Sequence, residues 1–219
     1  MRKEIKIPLN KNFKNIFNDW SDFKSKLLKT HDNRIVTSVY YDDDNFSLAN
    51  DNFSGISNRK KFRIRWYNEL NEKYTYEVKK KKNNLGTKII MKSQNKDSNF
   101  EKLFSLHNHV FYEKKNKYFL KQIDNLNLKP KIQISYSRSY YLYNGRIRVT
   151  FDQDLKYKDM NKFNLNNNII DDQFNIIEIK FEPEKTEDAL KLLEKTKFYP
   201  KRFSKYLRGL HLLGIANYI

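Results

Sequence analysis

Arg63 and Arg65 stand two apart in "KKFRIRWYNE", residues 60 to 69, with Phe62, Ile64 and Trp66 between and beside them. In an extended strand successive side chains point to opposite faces, so both guanidinium groups share one face and three large apolar groups share the other. The division recurs. Glu77 and Lys79 oppose Tyr76 and Val78; Arg146, Arg148, Thr150 and Asp152 oppose Ile147, Val149 and Phe151; Glu178 and Lys180 oppose Ile177, Ile179 and Phe181. Near the start, Arg2, Glu4 and Lys6 oppose Ile5 and Ile7. Guanidinium forks and ammonium groups suit phosphate oxygens. Cations on alternate residues lie about 7 Å apart and repel by about 2 kcal/mol per pair at an effective dielectric of ~20, a cost that a bound oligophosphate offsets. The few glutamates among them are of the type that holds a divalent metal.

An open sheet with its ionic face in water explains any one of these strands. Arg-x-Arg and Glu-x-Lys recurring on separate strands favour the alternative, a sheet closed into a barrel with its ionic residues inside and helices over its apolar outside. The elements needed for this are legible. Residues 2 to 8, 34 to 42, 61 to 67 and 73 to 81 alternate as strands, the last two joined as a hairpin, and "TKIIM" after Gly86 adds another. "KIQISYSRSYYLY" and "RIRVTFDQDL" flank Asn144-Gly145, a strong hairpin signal, and "NIIEIKFE" follows. Phe13, Ile16, Phe17, Trp20, Phe23 and Leu27 recur at helical spacing; 99 to 123, 186 to 198 and the segment from Ser204 also read as helical. The class is α+β with a largely antiparallel sheet of roughly eight strands. With no repeat and no Pro/Gly/Ser linker, residues 1 to 219 read as a single domain.

The composition narrows the chemistry. Lysine and arginine total 44 against 26 acidic residues, a formal net charge of +18, which points to an anionic partner. Absence of cysteine removes disulfides, zinc-thiolate sites and thiol nucleophiles and fits the cytoplasm. No apolar run is long enough for a transmembrane helix or a signal peptide. The aromatics alternate with charges, which suits burial better than base stacking, so nucleic acid is not the expected partner. His31, His107, His109 and His211 read as surface or packing residues, and Asp42-Asp43-Asp44 as a solvated turn.

Taken in order, "RKEIK", "VTSVYYDD", "KFRIRWY", "YEVKKKK", "ISYSRSYY" with "RIRVTFDQDL", "IIEIKF" and "RFSKY" resemble the VTC domain, the polyphosphate polymerase domain of the vacuolar transporter chaperone family, within the triphosphate tunnel, or CYTH-like, superfamily. The matching segments span residues 2 to 206. The resemblance implies an eight-stranded antiparallel β-barrel tunnel with helices packed outside. It implies transfer of the ATP γ-phosphoryl group onto a growing polyphosphate chain, with manganese or magnesium (Mn2+ or Mg2+) as cofactor. By the same resemblance Arg63, Arg65, Lys79, Arg138, Arg148 and Lys205 are the catalytic cations. Lys6, Lys88, Tyr136, Lys180 and Ser204 are substrate-binding, and Glu178 is the metal carboxylate. Glu4 either binds metal or pairs with a lysine, and Glu77 reads as an ion-pair partner. Ile132 and Ile134 fall in phase with Tyr136 and Arg138, for which a bulge before Tyr136 is one remedy. Hydrolases of the superfamily open with Glu-x-Glu-x-Lys, whereas Arg2 stands in the first glutamate's place, which favours the polymerase branch. A triphosphate hydrolase and a non-catalytic polyphosphate-binding module are the alternatives, and a membrane-associated partner stays open.

Overall fold

The computed structural model describes residues 2–12, 14–69, 74–82, 85–92, 117–160, 169–194 and 198–216. Most of the helix expected over 99 to 123, with His107 and His109, lies outside them. The strands are β1 (Lys3–Asn10), β2 (Leu28–Asp42), β3 (Arg59–Tyr67), β4 (Tyr74–Lys82), β5 (Leu85–Lys92), β6 (Lys129–Tyr143), β7 (Ile147–Asp159), β8 (Ile169–Asp171) and β9 (Phe174–Phe181). Among the described residues the α-helices are α1 (Lys14–Ser25), α2 (Ser47–Phe53), α3 (Lys117–Asn125), α4 (Thr186–Glu194) and α5 (Lys205–Leu212). Hydrogen-bonded neighbours run β1-β9-β7-β6-β2-β3-β4-β5, and the three-residue β8 pairs with β7 beside that path. The α+β antiparallel expectation holds, with eight strands along the path and the short one added.

The chain forms two compact units, the first of residues 1–35, 135–156 and 171–204, the second of 36–134, 157–170 and 205–219. In the first, Ile7, Val149, Phe151, Ile177 and Ile179 pack with Trp20 and Phe23 of α1 and with Leu192 and Leu193 of α4. Trp20 stacks on Phe151 with ring centroids 4.0 Å apart. Asn144 and Gly145 turn the β6-β7 hairpin with φ of 47° and 67°, the left-handed pair that a tight hairpin requires. In the second unit, Val39, Tyr41, Phe62, Ile64, Trp66, Tyr76 and Val78 pack with Phe119 of α3. Strand alternation dictates both cores, since each uses only the apolar half of its strands.

Ile132 and Ile134 are buried although they keep phase with polar residues of β6. Helix α5 supplies the cover for Ile132. A Cβ at Gly209 would come within 2.5 Å of Tyr157 Cδ1 and 2.8 Å of Ile132 Cδ1, so the helix approaches that closely only because Gly209 has no side chain. Gly209→Ala is accordingly expected to destabilise the fold by about 1–3 kcal/mol despite alanine's better helix propensity. A urea midpoint equal to or above that of the unmutated protein would show the approach to be loose.

Candidate functional site: two cationic clusters

The second unit answers the question posed by Arg63 and Arg65. Phe62, Ile64 and Trp66 are buried in its core, and Arg65 is only 7% exposed on the other face. Its Nε donates to Ser38 Oγ at 2.9 Å. Arg63 Nε donates to Glu77 Oε2 at 2.6 Å and its Nη1 to the Tyr40 hydroxyl at 2.9 Å. Register makes this possible. Ser38 lies opposite Arg65, Tyr40 opposite Arg63, and Glu77 opposite Arg63 from the other side. Lys88 on β5 donates to the second oxygen of Glu77 at 2.6 Å. One buried carboxylate thus holds two cations. Burial alone would raise the Glu77 pKa, but Arg63, Arg65 and Lys88 overcome it and bring the group down to about 2.

Lys79 is exposed, opposite Lys61 on one side and Lys88 on the other. It shares the face of Glu77, and the ion-pair reading of Glu77 is met by Arg63 and Lys88. Lys205 opens α5 and acts electrostatically on Tyr40. Tyr40 stacks on Tyr206, 5.1 Å between centroids, and the Tyr206 hydroxyl donates to Asp42 Oδ2 at 2.9 Å.

Burial by itself would raise the Tyr40 pKa, but Arg63, Arg65 and Lys205 bring it down to about 8. A phenolate formed there places negative charge among cations suited to phosphate, so tripolyphosphate should bind more weakly as pH rises through about 8. Tyr40→Phe should abolish that limb, as read by calorimetric titration between pH 7 and 9. For stability the sign is opposite: a phenol whose folded pKa lies below its ordinary 10.0 adds stability above 10, lost as pH falls through about 8. An affinity profile identical in both proteins would remove Tyr40 from the site.

The first unit holds the other cluster. Arg138 makes a bidentate pair with Asp152, Nε to Oδ1 at 2.6 Å and Nη2 to Oδ2 at 2.8 Å, and reaches Glu178 Oε2 at 3.5 Å. Its guanidinium lies 5.1 Å from the centre of the buried Tyr136 ring. Lys180 pairs with Glu178 at 3.0 Å, and Lys6 with Glu4 at 3.0 Å. On β1 and β9, Lys6 faces Glu178 and Glu4 faces Lys180. Lys6 Nζ also donates to the Phe203 carbonyl, at 3.2 Å, next to Ser204. Arg148, exposed, lies opposite Lys180, and Thr150 lies opposite Glu178.

Thr150 Oγ1 is buried and has no hydrogen-bond partner. Sequence reasoning placed Thr150 on the ionic face without a role; the orphaned hydroxyl beside Glu178 is a position where a phosphate oxygen or a water can be received. It likewise missed Ser38 and Tyr40, whose partners become visible only with the β2-β3 register. Asp42 is a correction. It is fully buried and accepts N–H bonds from Asp43, Leu48 and Ala49, so it caps α2 and is no solvated residue. Asp44 remains exposed in part and pairs with Lys129 and Lys131.

The residues present fit a divalent ion only with help from a substrate. Among the described residues no three His, Cys, Asp or Glu side chains gather as a ready-made site. Glu178 and Glu4 on neighbouring strands could contribute oxygens, and Mg2+ usually takes about one or two carboxylates with phosphates and waters completing its shell. Among the described residues no helix is long and apolar enough to cross a membrane.

Solved structures share the fold at low identity. The PH1819 protein of Pyrococcus horikoshii OT3 is 18% identical, with 98% of this chain and 99% of that chain covered and a TM-score of 0.53. A putative adenylyl cyclase of Hippeastrum, HpAC1, described as having a dominant triphosphatase activity, is 16% identical over 99% of this chain and 98% of its own, TM-score 0.56. A putative adenylate cyclase of Bacillus halodurans is 14% identical over 93% and 96%, TM-score 0.52. No curated protein matches. The sequence profile of the VTC domain matches residues 3–214. With the fold of the triphosphate tunnel proteins and a family match spanning both units, this chain belongs to the VTC domain family.

Proposed function

We propose that the chain is a polyphosphate polymerase, acting as a single functional domain over residues 1–219. In this reading a terminal phosphate oxygen of the growing chain attacks the γ-phosphorus of ATP. The bond to the β-γ bridging oxygen breaks, and ADP leaves with the electron pair. The observation that carries it is the Arg63-Arg65 face. Two arginines on alternate residues, turned away from water and set by Ser38, Tyr40 and Glu77, are preorganised donors for charge that spreads over phosphate oxygens.

Arg63, Arg65, Lys79, Arg138, Arg148 and Lys205 are assigned to the phosphoryl group and its neighbours. Lys6, Lys88, Tyr136, Lys180 and Ser204 are assigned to the remaining phosphates. Glu178 is assigned to Mn2+ or Mg2+, which when bound would neutralise phosphate charge. Arg148 supports its own assignment, being a cation exposed opposite Lys180. The +18 charge supports anionic partners such as ATP and polyphosphate, and aromatics that alternate with charges suit burial better than base stacking, which speaks against nucleic acid. A cytoplasmic location and a membrane-associated partner are part of the same proposal.

A triphosphate hydrolase is the second reading, favoured by the Hippeastrum protein's triphosphatase activity on the same fold. A non-catalytic polyphosphate-binding module is the third. Incubation of the pure protein with ATP and Mn2+ separates them: long chains with ADP for the polymerase, free phosphate for the hydrolase, unchanged ATP for the binding module. Glu178→Gln is expected to lower turnover by about 10²-fold or more while the folded state persists, because it removes charge without changing shape. Wild-type turnover in that variant would take Glu178 out of the metal role.

A further inference from the structure

The first unit carries a second concavity, on the apolar side of its strands. A cavity of about 370 Å³ lies between α1 and β1, β2, β6, β7 and β9, within the size range of small-molecule sites. Trp20, Tyr141 and Phe151 form one wall. Asn33, Ser139 and Asn175, from three strands, supply neutral polar groups. Lys11, Lys24 and Lys29 also line it, with Leu9, Asn10 and Gln153, and among the described residues no carboxylate does. Lys11 has a weak surface partner, Asp154 at 3.8 Å.

This cavity is separate from the ionic face. Phe151 alternates with Asp152, the partner of Arg138, and Asn175 shares the face of Ile177 and Ile179, opposite Glu178. Its chemistry is also different. Asn175 Oδ1 is buried without a hydrogen-bond partner, so the site lacks a donor that an occupant would have to bring. The aromatic wall favours a flat ring, and three lysines in a lining whose described residues include no carboxylate favour an anion.

We propose that this cavity is a binding site for a nucleoside monophosphate, its base amino group donating to Asn175 and its phosphate meeting Lys24 and Lys29. The chain has two tryptophans, Trp20 and Trp66, and only Trp20 lines the cavity. Full-length protein labelled with ¹⁵N at the indoles therefore gives two side-chain N–H signals, assigned with Trp20→Phe. AMP is expected to shift the Trp20 signal saturably and leave Trp66 in place. Lys24→Glu with Lys29→Glu should weaken AMP by about tenfold, while tripolyphosphate binding, read by calorimetry, stays unchanged. Asn175→Leu should weaken AMP but spare ribose 5-phosphate, which has no base amine. No saturable Trp20 shift, an equal response to inorganic tripolyphosphate, or unchanged AMP affinity in the double lysine variant would each overturn the proposal. None of these outcomes depends on whether the protein makes polyphosphate.

Discussion

Arg65→Ala is expected to lower ADP release from ATP by roughly 10²–10³-fold, the cost of losing one preorganised donor at a developing anion. Arg65 is nearly buried and its Nε is fixed by Ser38, so its position is set before substrate arrives. Its charge also lowers the pKa of Tyr40 and of Glu77, favouring their ionised forms, which places it within electrostatic reach of both. Arg65→Lys should recover only part of the loss, since an ammonium cannot reproduce the planar fork. The fold should survive, because Glu77 keeps Arg63 and Lys88 as partners and the loss at Ser38 is a hydrogen bond worth about 1 kcal/mol. The measurement is kcat/KM for ADP release beside a urea midpoint, with tripolyphosphate affinity as the readout should turnover prove absent in the wild type. Undiminished turnover and affinity in Arg65→Ala would end the assignment.

The second large effect falls on stability. Glu77→Ala should cost about 3 kcal/mol, the lower end of the ~3–5 kcal/mol seen when one partner of a buried pair is removed. The lower end applies because Lys88 is 38% exposed and water can resolvate it, while Arg63 at 20% is less easily rescued. The pH dependence follows from the Glu77 carboxyl lying near 2 instead of its ordinary 4.5. A depressed acid contributes stability that is complete above about 4.5 and disappears as pH falls through about 2. Urea titrations of both proteins at pH 7 and pH 3 should therefore differ most at pH 7. A difference below 1 kcal/mol at pH 7 would mean that the arginine and lysine find other company without loss.

The strands and their two faces were legible because alternation is a local property. Phe62, Ile64 and Trp66 could be placed in a core with no knowledge of what covers them. The first six residues of β2 could not: "LKTHDN" shows no apolar alternation, all six residues are exposed, and only backbone pairing makes the segment a strand. At the site, Arg63 and Arg65 were identifiable by spacing. Their partners Ser38 and Tyr40 were not, since register between strands about 25 residues apart is a tertiary outcome. Asp152 similarly becomes Arg138's partner through the hairpin. Asp42 misled because three successive aspartates look hydrated, whereas Asp42 is buried and takes the Leu48 and Ala49 amides of α2, with Asp43 taking that of Ser47.

Asp42 has a consequence for motion. Its carboxylate ties the amides that begin α2 to a phenol on α5, 164 positions further along the chain. Two helices remote in sequence therefore share one fastening. Loosening of either helix at this point weakens a contact of the same carboxylate, which couples local opening of one end to the other.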